Sequence, residues 1–255
     1  MTEGSSGQSR RSLRPAARDC GPARAARTAA APAPPLLALV FASGAAALIY
    51  QSLWLRAFGL VFGSATDATA MVLAIFMGGL ALGSAFTAGR PVRRPLRAYA
   101  LVEMGIAGAA ILTAPLLRLL PGLYVSVPFL RELTGVADIL TRAALAALVL
   151  MPATLLLGAT VPLAVEVLSR RGDDQNRILG RLYLLNTLGG ALGVMLGPFL
   201  LLPALGMIAS FVAAAFASFL VGGVAWRFAR DQGEAEFGSP APLATPSRAP
   251  AGSSR

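Results

Sequence analysis

The sequence predicts an all-α membrane protein, a six-transmembrane-helix bundle, and three observations carry that prediction. Of its 255 residues, 56% are hydrophobic and 13% are charged, and the mean hydropathy is +0.67, a composition far from that of soluble globular domains. Apolar runs of about twenty residues recur along the chain, each long enough at 1.5 Å per residue to cross a hydrocarbon core of about 30 Å. Arginines gather at alternate ends of these runs, the asymmetry that keeps short basic loops on the cytoplasmic side. Six spans with both termini in the cytoplasm satisfy that asymmetry, and the expected location is the plasma (inner) membrane.

Residues 1–35 carry six arginines and no apolar periodicity, which reads as a disordered basic cytoplasmic leader. The transmembrane domain is expected over residues 36–228. Its first span, 36–60, holds Tyr50 and Gln51 near the middle, with Trp54 and Arg56 one turn beyond. The second, 71–90, ends in Arg90, Arg93, Arg94 and Arg97, and this loop sets the orientation of the chain. Gly79 and Gly83 within it form a small-xxx-small pair that lets a neighbouring backbone approach.

The third span, 98–117, contains Glu103 about 8 Å inside its cytoplasmic end by helical rise. A charged connection at 118–142 is expected to lie as a short amphipathic segment on the outer face. The fourth span, 143–168, is interrupted by Pro152, Gly158 and Pro162, where kinks are expected. It closes on Glu166, four residues before Arg170, a spacing that pairs charges along one helix face. After an inner loop that includes Arg171, Arg177 and Arg181, the fifth span, 182–202, bears Asn186 and a face of Gly189, Gly193 and Gly197. Two overlapping GxxxG steps predict the tightest packing in the bundle there. The sixth span, 205–226, returns to Arg227 and Arg230, and residues 229–255 read as a disordered tail or truncated linker.

Composition also excludes chemistry. The chain has no histidine, which removes Ser/His and Cys/His catalysis and every histidine-containing metal site. The single cysteine, Cys20, permits neither an internal disulfide nor a thiolate cluster. No metal and no cofactor are therefore expected. The net charge of +10 arises from 22 basic residues, all arginine. They sit beside apolar spans without interleaved aromatics, so membrane lipids rather than nucleic acid are the expected partners.

Polar residues inside the spans are the candidate functional groups, because each is costly in lipid unless it faces protein or water. Tyr50, Gln51, Glu103 and Asn186 are the candidate cavity or substrate residues. Glu103 either carries function or forms a structural ion pair with an arginine of the basic loop. Arg90, Arg93, Arg94, Glu166, Arg170 and Arg181 form a candidate cytoplasmic gate or docking face, and Gly79, Gly83, Gly189, Gly193 and Gly197 are the candidate helix-packing positions.

Five stretches together resemble the membrane part of fused transporter/spermidine synthase proteins: FASGAAALIYQSLWLR (41–56), FMGGLALGS (76–84), RPLRAYALVE (94–103), LGATVP (157–162) and GRLYLLNTLGGALG (180–193). The resemblance implies a bundle similar to half of a major facilitator protein, which in that family is joined to a cytoplasmic aminopropyltransferase domain. This chain has Gln51 where the family pattern has an acidic residue, and its 89–94 loop has arginines without the usual aspartate. The residues after 228 are too few for a nucleotide-type pocket, so the sequence leads to the expectation that the chain is not itself an enzyme.

Two functions follow as expectations. One is a membrane anchor or partner of an aminopropyltransferase-like enzyme carried on a separate protein. The other is a half-transporter-like module that moves a polyamine or other small solute as a homo-oligomer.

Overall fold

The computed structural model describes residues 33–63, 65–128, 133–169 and 175–231, all of the regular structure being helical. The elements are α1 (Ala33–Phe62), α2 (Ala65–Thr87), α3 (Pro95–Ser126), α4 (Val136–Ser169), α5 (Gln175–Leu196), a π-helical turn (Gly197–Leu201) and α6 (Leu202–Asp231). Most of residues 1–35 and 229–255, expected as leader and tail, lie outside the described residues.

Among the described residues, five helices are long and apolar enough to cross a membrane, where six spans were expected. The difference lies at the end of the chain, where Asn176–Asp231 runs as one apolar helical stretch of 56 residues. Two features interrupt it. The π turn begins at Gly197 and contains Pro198, a wide turn that tolerates the missing N–H of proline. Gly206 then takes φ 76 and ψ 178, a left-handed backbone that only glycine adopts at no steric cost. The fifth and sixth expected spans thus meet at a kink, where the backbone leaves helical geometry at Gly206. The Ser210 hydroxyl donates to the Gly206 carbonyl at 2.6 Å and satisfies an acceptor at the bend.

One further expectation changes. Helix α3 continues through Pro115 and Pro121 to Ser126, and α4 starts at Val136, so the connection expected over 118–142 is largely helix. Helix α4 also runs through Pro152 and Pro162 as one element. Each proline removes one intrahelical hydrogen bond.

Helix α1 lies at the centre and packs most extensively on α5, then on α6 and α2. Helix α2 pairs with α4, and α3 lies between α4 and α6. Small residues govern two of these seams. A Cβ on Gly79 or Gly83 of α2 would run into Thr154 or the Leu155 carbonyl of α4, and one on Gly158 into the Leu80 carbonyl. On α5, Gly189 and Gly193 lie against the Phe41 and Ala45 carbonyls of α1, and Gly197 reaches the backbone of Ile49. Backbones that approach this closely gain dispersion along the whole seam, the main source of helix association where no water is displaced.

The interior splits into two apolar clusters. One centres on Tyr50, Trp54, Phe58, Phe76 and Leu150, and the other on Tyr99, Leu163, Leu182 and Val221. Outward-facing positions are apolar as well: Leu148 and Phe199 are each 74% exposed. Such an inside-and-outside apolar helix suits a lipid environment rather than water.

Candidate functional site

Helix α3 starts at Pro95 and has an apolar sequence with one carboxylate. Glu103 stands about 12 Å along the helix from Pro95 and is completely buried. Tyr99, one turn earlier on the same face, is equally buried. Ser43 of α1 and Tyr99 are the side chains that face the carboxyl. Neither carboxylate oxygen nor the Tyr99 hydroxyl completes a hydrogen bond.

Helix α6 closes the site from the other side. At Gly222 an added Cβ would lie 2.9 Å from the Ala100 carbonyl and 3.2 Å from Glu103 Cβ, so α6 rests directly on the Glu103 turn. One turn away, the Tyr50 hydroxyl donates to Ser218 Oγ at 3.3 Å. Tyr50 is close enough for charge on Glu103 to act on it. Its ring stacks on Trp54 at 5.7 Å between centroids, which fixes the hydroxyl's position. The arrangement sets hydroxyls of α1 and α3 at one buried carboxyl, with the Tyr50–Ser218 pair between α1 and α6 close by.

The four candidate cavity residues therefore separate. Tyr50 and Glu103 meet in this cluster. Gln51, half-buried, leaves α1 about 100° round the helix from Tyr50. Asn186 packs on the opposite seam: a Cβ on Gly44 would lie 2.8 Å from its Oδ1. It belongs to the α1–α5 contact, since the glycine face of α5 sets the helix rotation.

No arginine among the described residues forms an ion pair with Glu103. Arg97, the nearest along α3, lies over the Trp226 ring at 5.9 Å, so the ion-pair alternative read from the sequence does not describe this geometry.

The candidate gate residues lie near one end of the bundle. Arg90 and Glu166 line a common cleft of about 610 Å³ between the ends of α2 and α4, with Ser84, Thr87 and Ser169 adding hydroxyls. Arg93 and Arg94 are exposed just before α3, and Arg181 is exposed on α5. Arg170, with Arg171, lies outside the described residues.

Ser43, Tyr99, Ser218, Trp54 and Gly222 complete the site without standing out as candidates in the sequence. Only Tyr99 carried a usable signal there, four residues before Glu103 and so on the same helix face. Serine and glycine are common in apolar helices, and nothing local marks which of them face a carboxylate.

The chain is 32% identical over 188 residues to proteins named polyamine aminopropyltransferase from two strains of Mycobacterium tuberculosis and from Mycobacterium bovis. The match covers 68% of this chain and 31% of each relative, so the chain spans about a third of the length of these curated relatives. No protein-family model matches the chain, and no solved structure matches it either. The comparison corrects one expectation: relatives of this chain carry the name of an enzyme, which overturns the reading of the chain as a non-enzyme.

Proposed function

We propose that this chain is the membrane portion of a polyamine aminopropyltransferase-like enzyme and holds the aminopropyl-transferring part at the inner face of the plasma membrane. The observation that carries the reading is the 188-residue similarity to relatives of that name, which falls on a chain of long apolar helices. In this reading the stretch Asn176–Asp231 crosses twice, turning at Gly206, so that the bundle makes six crossings and resembles a major facilitator half. Both termini are cytoplasmic. The exposed arginines Arg90, Arg93, Arg94 and Arg181 meet anionic headgroups and the aminopropyltransferase part, whether continuous with this chain or separate.

The test compares membranes from cells with the intact gene and from cells lacking the codons for residues 33–231. Transfer of an aminopropyl group to a diamine is measured in pellet and supernatant. The activity is expected in the pellet of the first and is expected to leave the pellet of the second. Equal pellet activity in both overturns the proposal.

A second reading, the half-transporter that moves a polyamine or other small solute as an oligomer, draws on one observation, the buried carboxyl of Glu103. Saturable entry of labelled spermidine into proteoliposomes containing the purified chain is its measure, and no entry removes it.

A further inference from the structure

The cleft of about 610 Å³ between the ends of α2 and α4 holds both signs of charge: Arg90, just past α2, and Glu166, in the last turn of α4. The two form no ion pair with each other. The Arg90 guanidinium lies instead over the Phe86 ring at 5.8 Å, and Glu166 has a contact of its own within the chain. A carboxylate offers about four lone-pair sites, so an engaged Glu166 still accepts a further donor. Both helices end at the cleft, α2 at Thr87 and α4 at Ser169, and neither has a basic residue in its last turn. Their C-terminal carbonyls therefore add negative partial charge there. The Thr87 hydroxyl donates to the Gly83 carbonyl at 2.9 Å, which leaves its oxygen to accept. Val161, Pro162, Val165 and Leu179 supply an apolar wall.

This pattern selects by charge. A purely anionic molecule is opposed by Glu166 and the helix ends, and a polyamine is opposed by Arg90. A molecule with one charge of each sign satisfies both, and its carbon skeleton covers the apolar wall. The volume lies within the range of small-molecule sites. We propose that the cleft binds one small zwitterion with a primary ammonium and a single acid group, the chemistry shared by a free amino acid and an aminophospholipid headgroup. Arg90 takes the acid group, and Glu166 with the Thr87 and Ser169 hydroxyl oxygens takes the ammonium. The inference does not rest on aminopropyl transfer. It also goes beyond the contact of exposed arginines with anionic headgroups, because it requires a cation on the ligand.

The experiment uses the full chain purified in detergent and follows thermal unfolding and native mass spectra with leucine, phosphatidylethanolamine, phosphatidylglycerol and putrescine as probes. Leucine or phosphatidylethanolamine is expected to bind saturably and to raise the unfolding temperature. A response to leucine identifies a free ligand, and a response to phosphatidylethanolamine alone identifies the headgroup. Arg90→Gln and Glu166→Gln are each expected to weaken that binding about tenfold or more, the loss of one charged contact. Arg230→Gln, an exposed arginine of α6 outside the cleft, is expected to leave it unchanged. If Glu166→Gln does not fold, the ammonium contact is tested from the ligand side: N-acetyl-leucine, which has no ammonium, and phosphatidylcholine, whose ammonium has no N–H, are expected to fail. No saturable response to leucine or phosphatidylethanolamine overturns the proposal. Phosphatidylglycerol bound as tightly as phosphatidylethanolamine means a plain anion site, and putrescine bound as tightly as leucine means a plain cation site; either overturns it. Wild-type binding in both cleft variants, or an equal loss in Arg230→Gln, overturns the assigned residues.

Discussion

The Tyr50 hydroxyl on α1 donates to Ser218 Oγ on α6 across 168 residues of sequence, at 3.3 Å. Both side chains are buried, so the bond does not compete with water and fixes the rotation of the last helix against the first. Tyr50→Phe removes the donor and keeps the ring stacked on Trp54. The expected loss is about 1 kcal/mol, read as a fall in unfolding temperature in detergent. Tyr50→Ala also empties a core position and is expected to cost about 3–5 kcal/mol. Equal effects of the two substitutions would mean that the ring contributes nothing.

Packing at the glycines gives a sharper contrast. Gly193 lies against the Ala45 carbonyl of α1, whereas a Cβ on Gly223 would meet nothing within 4 Å. Gly193→Leu is expected to abolish recovery of folded, monodisperse protein. Gly223→Ala is expected to be neutral or stabilising by up to about 1 kcal/mol, because alanine is the better helix former. Size-exclusion profiles and melting curves of the two variants test this pair, and a normal melt for Gly193→Leu contradicts the α1–α5 seam.

Helices and inward-facing charge were legible in the sequence for the same physical reason: both are set by local composition. Twenty apolar residues make a helix whatever their neighbours, and Glu103 stands out because a carboxylate in such a run is costly. Relative rotation of helices is not local. Asn186 is as polar as Tyr50, but the Gly189–Gly193 face turns it onto the α1 seam, away from Glu103. Ser43 and Ser218 were invisible for the converse reason, since serine is unremarkable until a distant helix brings a partner to it. The break between the last two spans was legible at residues 203–204, but its form was not: Leu205-Gly206 in an apolar run does not say that a kink rather than a loop makes the turn.

Topology is open to direct measurement. In a Cys20→Ser background, single cysteines at Gly63 and Ala204 are expected to react with an impermeant maleimide on intact cells. Cysteines at Val92 and Gly172 are expected to react only after lysis, because the arginines gather at that end. Labelling of Val92 from outside would reverse the orientation. Failure of Ala204 to label from outside would contradict the double crossing of Asn176–Asp231.

At the end of the bundle remote from Arg97, Arg142 of α4 holds three groups at once. Its Nε and Nη2 donate to the two carboxylate oxygens of Asp138 at 2.9 Å, one helical turn earlier. Nη1 donates to the Phe62 carbonyl at 3.0 Å, and the guanidinium lies 5.8 Å from the Phe62 ring centroid. Phe62 is the last residue of α1, whose terminal carbonyls have no intrahelical partner. The arginine thus caps α1 from α4 while its charge is balanced from its own helix. Because the pair is partly exposed, the ionic component is modest, about 0.5 kcal/mol. The carbonyl bond to a charged donor contributes more, about 1.5–3 kcal/mol. Arg142→Ala is expected to cost about 2–3 kcal/mol in detergent unfolding, and Asp138→Asn less than 1 kcal/mol. Arg142→Lys should recover little, since an ammonium lacks the planar fork that meets a carboxylate and a carbonyl together. Full recovery by lysine would show that only the charge matters, and that the α1 cap is not made through this geometry.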